Sequence, residues 1–271
     1  MDLLTKKRFL NKIINDIKSV KIQGARNIAK AALKAYSLLP NLNSKKKLLL
    51  ARPTEPMLSK VLDLSKKSSY DEIVLHFDKA QNEINNNVLK IIKNKDKIFT
   101  HCHSTNVVNS LIYTKKKGKN FEVYNTETRP LYQGRKTAKE LAKAGIKVTQ
   151  YADSGARIAI IRGKGNTQVD KVFLGADALL KNGIINKIGS GMFAEIAYDH
   201  KVPVYIIADS WKFSKNKIPI EQRSLNEVWD KVPRNVKIKN PAFEFVPKKY
   251  ITKIISELGI LSYSEFVRKA K

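Results

Sequence analysis

Cys102 is the only cysteine of the 271 residues, and it lies in Phe99-Thr100-His101-Cys102-His103-Ser104-Thr105-Asn106, where an apolar run breaks into polar residues and then into a helical pattern. A second reactive side chain, Asp177, closes the apolar run Lys171-Val172-Phe173-Leu174-Gly175-Ala176. In open α/β sheets ligands bind beyond the carboxyl ends of the strands. A thiol and a carboxyl at two such ends form an acid–base pair suited to moving protons on a bound small molecule. A helix start, His101, His103 and basic surroundings are expected to lower the Cys102 pKa towards the thiolate. Desolvation at the end of an apolar strand is expected to raise that of Asp177 and keep it protonated. The plainer readings are a small buried hydrophobe for Cys102 and a turn former for Asp177.

Other polar residues gather at the same kind of position. Ser104, Thr105 and Asn106 open one helical pattern and Gly189-Ser190-Gly191 another, and free N–H groups at helix starts hold phosphate. The same residues serve equally as plain N-caps. Lys187 and Lys212 can each neutralise an anion, and Arg52 and Arg129 sit in proline-stiffened turns that fix a guanidinium fork. No metal is expected: a single cysteine precludes paired-cysteine zinc spacing, and His101 and His103 alternate along a strand-like segment, so they tend to opposite faces. There is no P-loop, and Arg162-Gly163-Lys164-Gly165 follows a helical pattern rather than a strand. No organic cofactor is therefore expected.

The elements that must position these groups fall into two blocks. Residues 1–95 carry apolar residues at three- and four-residue spacing, interrupted at Arg52-Pro53-Thr54-Glu55-Pro56, where the prolines require a turn. From 96 to 271, β-rich runs at 97–100, 121–126, 147–152, 172–175 and 204–208 alternate with helical stretches at 107–115, 137–144, 154–162 and 193–200. Strict alternation predicts a Rossmann-like, doubly wound, mainly parallel sheet behind a small all-helical N-terminal domain. A last amphipathic helix is expected over 247–258, with Gly259 at its C′ position.

The formal net charge is +28, carried mostly by Lys scattered through the chain, with scarce Arg. That distribution reads as a solvated basic surface that attracts anions, with direct nucleic-acid binding as the competing reading. The opening residues lack a signal-peptide core and no run is long enough to span a bilayer, so a soluble cytoplasmic protein is expected.

Thr100-His101-Cys102-His103-Ser104, Glu127-Thr128-Arg129-Pro130 with Gln133-Gly134, Gly175-Ala176-Asp177, Asn186-Lys187-Ile188-Gly189 and Asn240-Pro241-Ala242-Phe243 form a familiar set. Over most of residues 20–262 the chain resembles the family joining archaeal ribose-1,5-bisphosphate isomerases, methylthioribose-1-phosphate isomerases and the regulatory subunits of translation initiation factor 2B. Among these, Glu127 to Gln133 and Trp211-Lys212-Phe213 are most similar to the archaeal bisphosphate enzymes. The resemblance implies an aldose-to-ketose isomerisation yielding ribulose 1,5-bisphosphate for nucleotide salvage. It makes Cys102 the proton acceptor and Asp177 the donor. It also implies substrate contacts from Gln23, Gly24, Ala25, Arg26, Arg52, Ser104, Thr105, Asn106, Gln133, Asn186, Lys187 and Lys212, and a homo-oligomer, a dimer or a trimer of dimers. Two departures stand out: Gln23 replaces an Arg usual in the isomerases, and Glu55-Pro56 stands where they commonly carry Ala-Val. The alternatives are a translation-factor-related protein that binds a sugar phosphate or nucleotide without turnover, and a methylthioribose-1-phosphate isomerase.

Overall fold

The computed structural model describes every residue except Arg162, Lys164, Asn166 and Lys271. The expected helix over 154–162 and the glycine-rich run after it thus fall partly outside the described residues.

Five helices come first: α1 (Leu3–Lys18), α2 (Ala25–Leu38), α3 (Leu42–Ala51), α4 (Pro56–Leu64) and α5 (Tyr70–Ile91). Asp2 and Asn41 cap α1 and α3, and Ser69 with Glu72 forms a capping box on α5, so these starts are written locally. Ile17, Ile28, Leu33, Leu48, Leu58 and Val61 meet in one core because their spacing puts them on facing stripes. The turn at 52–55 is where the prolines require it, with Pro56 at the first position of α4. Helix α5 belongs to two cores: Ile73 and Phe77 pack with the helical bundle, whereas Ile84 and Val88 pack against the sheet beyond.

The α/β part runs β1 (Lys97–Thr100), α6 (Thr105–Lys116), β2 (Glu122–Thr126), α7 (Gln133–Lys143), β3 (Lys147–Tyr151), α8 (Ala156–Ile160) and β4 (Lys171–Leu174). It continues through β5 (Ala178–Leu179), β6 (Gly183–Lys187), α9 (Ser190–Asp199), β7 (Val204–Ile207), β8 (Phe243–Pro247), β9 (Lys253–Ser256), β10 (Gly259–Leu261) and α10 (Tyr263–Ala270). The main sheet has the order β10-β9-β7-β4-β1-β2-β3, parallel except for β10. Alternate residues sort to its two faces. Phe99, Val172, Leu174 and Ile206 pack with α8, α9 and α10, while Ile98, Phe173, Ile207 and Ile255 pack with α5, α6 and α7. The sheet is therefore covered on both faces and doubly wound, with its strand order reversing between β1 and β4.

The expectation of a helix over 247–258 is wrong. Ile251, Ile254, Ile255 and Leu258 have helical spacing, but the β-branched run enters the sheet as β9, parallel to β7, and Gly259 turns the chain at φ 120° into the antiparallel β10. The amphipathic helix is the later α10. A second, antiparallel sheet, β5-β6-β8, was not anticipated either. It carries Asn186 and Lys187 at the end of β6.

Candidate active site

The reversal of strand order puts Cys102 two residues past β1 and Asp177 three residues past β4, on neighbouring strands paired in the register Thr100↔Phe173. Both line one crevice between the sheet and the helical block. Close approach of the two strand ends depends on Gly175: a Cβ there would lie 2.6 Å from Ser104 Oγ and 2.7 Å from Ser104 Cβ. The first residues of α2, α6 and α7 face the same space, as do Glu55 at the start of α4, Asn186 and Lys187 from β6, and Lys212 from the 3-10 turn after β7.

Cys102 is held firmly. Its φ is +66°, a left-handed conformation unusual for a side chain with a Cβ. Its N–H donates to Thr128 Oγ1 (3.0 Å), and its carbonyl accepts from Thr137 Oγ1 (2.8 Å). Thr128 is itself left-handed and takes its place because the Asp153 carboxylate accepts the N–H groups of Thr128 and Arg129. His101 is buried behind the thiol. Its Nε2 lies 2.9 Å from the Ile188 carbonyl, which can only accept, so Nε2 carries the proton and Nδ1 accepts from Thr126 Oγ1. Burial pushes its pKa down to about 4, so it is a neutral strut rather than a charge.

The ionisation of Cys102 runs opposite to the expectation. Burial pushes the thiol up to about 12, outweighing the pull of the Lys187 ammonium. His101 is neutral, and burial lowers the pKa of His103 as well, so neither histidine supplies the expected positive charge. Asp177 behaves as expected: burial raises its pKa against the opposing pull of Lys212, Arg52 and Lys187. Lys187 is lowered, chiefly by burial.

Of the other expected contacts, Gly24 and Ala25 lie at the start of α2, which has no side-chain cap and lines the crevice. Gln23 also lines it, with Nε2 donating to the Val20 carbonyl at 2.9 Å. Arg26 is committed to Asp78 and stacks over Phe77. Arg52 pairs with Glu221 at 3.0 Å, yet its Nε has no hydrogen-bond partner although buried. Ser104 Oγ caps α6 through the Val107 N–H at 3.5 Å, with Thr105 and Asn106 beside it. Gln133 Oε1 is buried without a partner. Asn186 is tied to Ser190 Oγ at 2.8 Å, and Lys212 Nζ donates to the Ala176 carbonyl at 2.6 Å. Arg129 is not brought in: it is exposed, stands outside the lining, and its guanidinium bonds Tyr132 Oη. Sequence reasoning missed Arg223 and Glu227, which pair on the crevice wall; the scarcity of Arg was the only signal for the former.

Among the described residues, one grouping has metal-ligand types, His76, Asp209 and Glu257, with ligand atoms within 4.8 Å of one another. Its carboxylates already accept backbone N–H groups, Trp211 on Asp209 (2.8 Å) and Ser210 on Glu257 (3.1 Å), and His76 stacks on Trp211 at 3.5 Å. No described helix is long and apolar enough to cross a membrane.

Fold and crevice together define a doubly wound α/β protein whose crevice is lined by a thiol, a carboxyl, helix starts and buried cations. Residues 18–263 match the Initiation factor 2 subunit family, and the chain belongs to it. It is 35% identical to the ribose 1,5-bisphosphate isomerase of Methanocaldococcus jannaschii over 90% of this chain and 89% of that one. The ribose 1,5-bisphosphate isomerase of Pyrococcus furiosus is 33% identical, over 92% and 89%. The solved structure of the Pyrococcus horikoshii OT3 translation initiation factor eIF-2B superposes with a TM-score of 0.79 at 26% identity, covering 93% of this chain and 96% of that one.

Proposed function

We propose that the chain is a sugar-phosphate isomerase that converts ribose 1,5-bisphosphate to ribulose 1,5-bisphosphate, with Cys102 and Asp177 moving the protons. The observation that carries this reading is the convergence of both side chains on one crevice where Lys187 and Lys212 are buried. The relatives that match nearly the whole chain, named for that reaction, support the choice of substrate.

Bond accounting assigns the roles. Opening the furanose breaks the bond from C1 to the ring oxygen, which takes a proton from Asp177. The sulfur of Cys102 takes the C2 proton, leaving an enol that keeps the phosphate on C1. Asp177 then recovers a proton from the 2-hydroxyl as the C2 carbonyl forms, and Cys102 returns its proton to C1. Both groups end as they began. Because the resting thiol is held protonated, its base role requires that it first release its proton to solvent as substrate binds, and Lys187 is the ammonium that favours the thiolate left behind. Helix N-termini and Lys212 bind phosphate and the developing enolate charge. Homo-oligomer assembly belongs to the same proposal, with exposed Leu225, Val228 and Trp229 offering apolar surface.

The test is a coupled assay for ribulose 1,5-bisphosphate formation with wild type, Cys102→Ser and Asp177→Asn. Turnover by wild type and losses of about a hundredfold to ten-thousandfold in each variant are expected. A wild type that binds the bisphosphate without converting it would replace this reading with a non-catalytic sensor.

A further inference from the structure

The grouping of His76, Asp209 and Glu257 is absorbed by neither the motifs nor the proposed chemistry. It has metal-ligand types, yet its carboxylates converge on the backbone of one short segment, the 3-10 turn Ser210–Lys212 after β7. Asp209 Oδ1 accepts the Trp211 N–H at 2.8 Å, and Glu257 Oε2, from the link between β9 and β10, accepts the Ser210 N–H at 3.1 Å. The Asp209 carbonyl accepts the Lys212 N–H at 3.1 Å. All three amides of the turn are thus engaged, and of its three residues Lys212 alone lines the crevice.

His76 reaches the turn from the helical block. It lies on α5 beside Phe77, and its Nε2 is 3.3 Å from the same Asp209 Oδ1; a carboxylate oxygen only accepts, so Nε2 carries the proton. Its ring stacks on the Trp211 indole, with centroids 3.5 Å apart and planes 3° from parallel. Phe77 meets the same indole edge-on at 5.6 Å, and Trp211 packs against the core of the helical block. One histidine therefore holds the turn twice, through the carboxylate that caps it and through the indole at its centre. Without the imidazole, Asp209 would keep the Trp211 amide but lose its tie to α5, and the indole would lose the ring on its face.

The consequence falls on Lys212. It is buried, and its Nζ donates to the Ala176 carbonyl at 2.6 Å, one residue before Asp177. An ammonium on a flexible four-carbon stem has no fixed geometry of its own, so its place depends on where the backbone starts the stem and on what accepts from its tip. We propose that His76 is a positioning residue for Lys212: through Asp209 and Trp211 it fixes, from the helical block, the turn that sets this ammonium at the strand end carrying Asp177. The proposal rests on the isomerase reading for its kinetic meaning.

The test is a double-mutant cycle on kcat/KM for the bisphosphate, with wild type, His76→Ala, Lys212→Ala and the double variant. His76→Ala alone should lose about tenfold to a hundredfold, the cost of moving a reacting or binding group on the order of 1 Å. In the Lys212→Ala background the same change should cost no more than about twofold, because a residue that acts through Lys212 then has nothing left to place. Equal losses in the two backgrounds overturn the proposal, since a residue that only supports the fold lowers both alike. The second readout needs no substrate: amide hydrogen exchange across 209–213 should quicken in His76→Ala, and exchange left unchanged overturns the proposal too. If His76→Ala does not fold, His76→Gln, which keeps an N–H donor but loses the ring, carries both measurements. Should wild type fail to turn over the bisphosphate, the isomerase reading falls while hydrogen exchange still decides whether His76 holds the turn.

Discussion

Gly175→Ala tests whether the two reactive strand ends are held by steric contact. The added methyl would lie 2.6 Å from Ser104 Oγ and 2.7 Å from Ser104 Cβ, more than half an ångström inside ordinary van der Waals contact. Ser104 begins the loop-to-helix step that carries Cys102, and Gly175 is two residues from Asp177, so relief of the clash moves one reactive group relative to the other. Overpacking of this kind costs about 1–3 kcal/mol. For a chain of this size that corresponds to a fall in Tm of roughly 2–10 °C. A displacement on the order of 1 Å at the chemistry lowers kcat by about a hundredfold. The control is Ser104→Gly, which removes both clashing atoms and leaves Ser104 Cα, 4.0 Å away, as the nearest neighbour. A glycine N-cap costs α6 only a few tenths of a kcal/mol. The double variant should therefore recover most of the loss in Tm, with a coupling of about 0.5–3 kcal/mol. Calorimetry and the coupled assay on the four proteins decide it. Wild-type melting and turnover in Gly175→Ala, or a double variant no better than the single, would refute the reasoning.

Two further outcomes are expected. His101 is buried with its pKa lowered from 6.5 to about 4, so the unfolded chain binds the extra proton as the pH falls through that window. Its contribution to stability is full above pH 6.5 and is lost on descent towards pH 4, roughly 3 kcal/mol in all. Urea unfolding between pH 7 and 4.5 should show this slope in wild type and a flatter one in His101→Gln, and parallel curves would show that His101 does not carry it. Arg129→Ala should change kcat/KM by no more than about twofold, because the exposed guanidinium leans on Tyr132 away from the crevice; a larger loss would put Arg129 back among the substrate contacts.

The strand ends bearing Cys102 and Asp177 were legible because an apolar run that stops at polar residues marks the edge of a buried sheet whatever its neighbours. The winding followed from the alternation of elements. The segment 247–258 was misread as a helix because Ile251, Ile254, Ile255 and Leu258 satisfy helical spacing, and only pairing with β7 shows that a sheet edge claims them. The double membership of α5 was equally hidden, since its stripe has one period from end to end and the change of partner is tertiary. The ionisation of Cys102 failed for an electrostatic reason: nearby basic residues can be read from a sequence, but the depth of burial that outweighs them cannot. Arg129 shared its proline-stiffened turn with no partner across the crevice, whereas Arg52 found Glu221, which lies 169 residues away along the chain.

The left-handed backbone at Cys102 has a bearing on how such a chain can change over time. A side chain at φ +66° costs of order 1–3 kcal/mol, and a glycine there would avoid the strain. Replacement of Cys102 by glycine thus relieves backbone strain while, on the proposed mechanism, it removes the proton acceptor. A lineage released from the need to convert its ligand can discard the chemistry and come out sturdier, with its crevice and its helix starts intact. On the proposed mechanism, enzyme and silent binder are a single substitution to glycine apart, and the backbone strain at that position favours the binder.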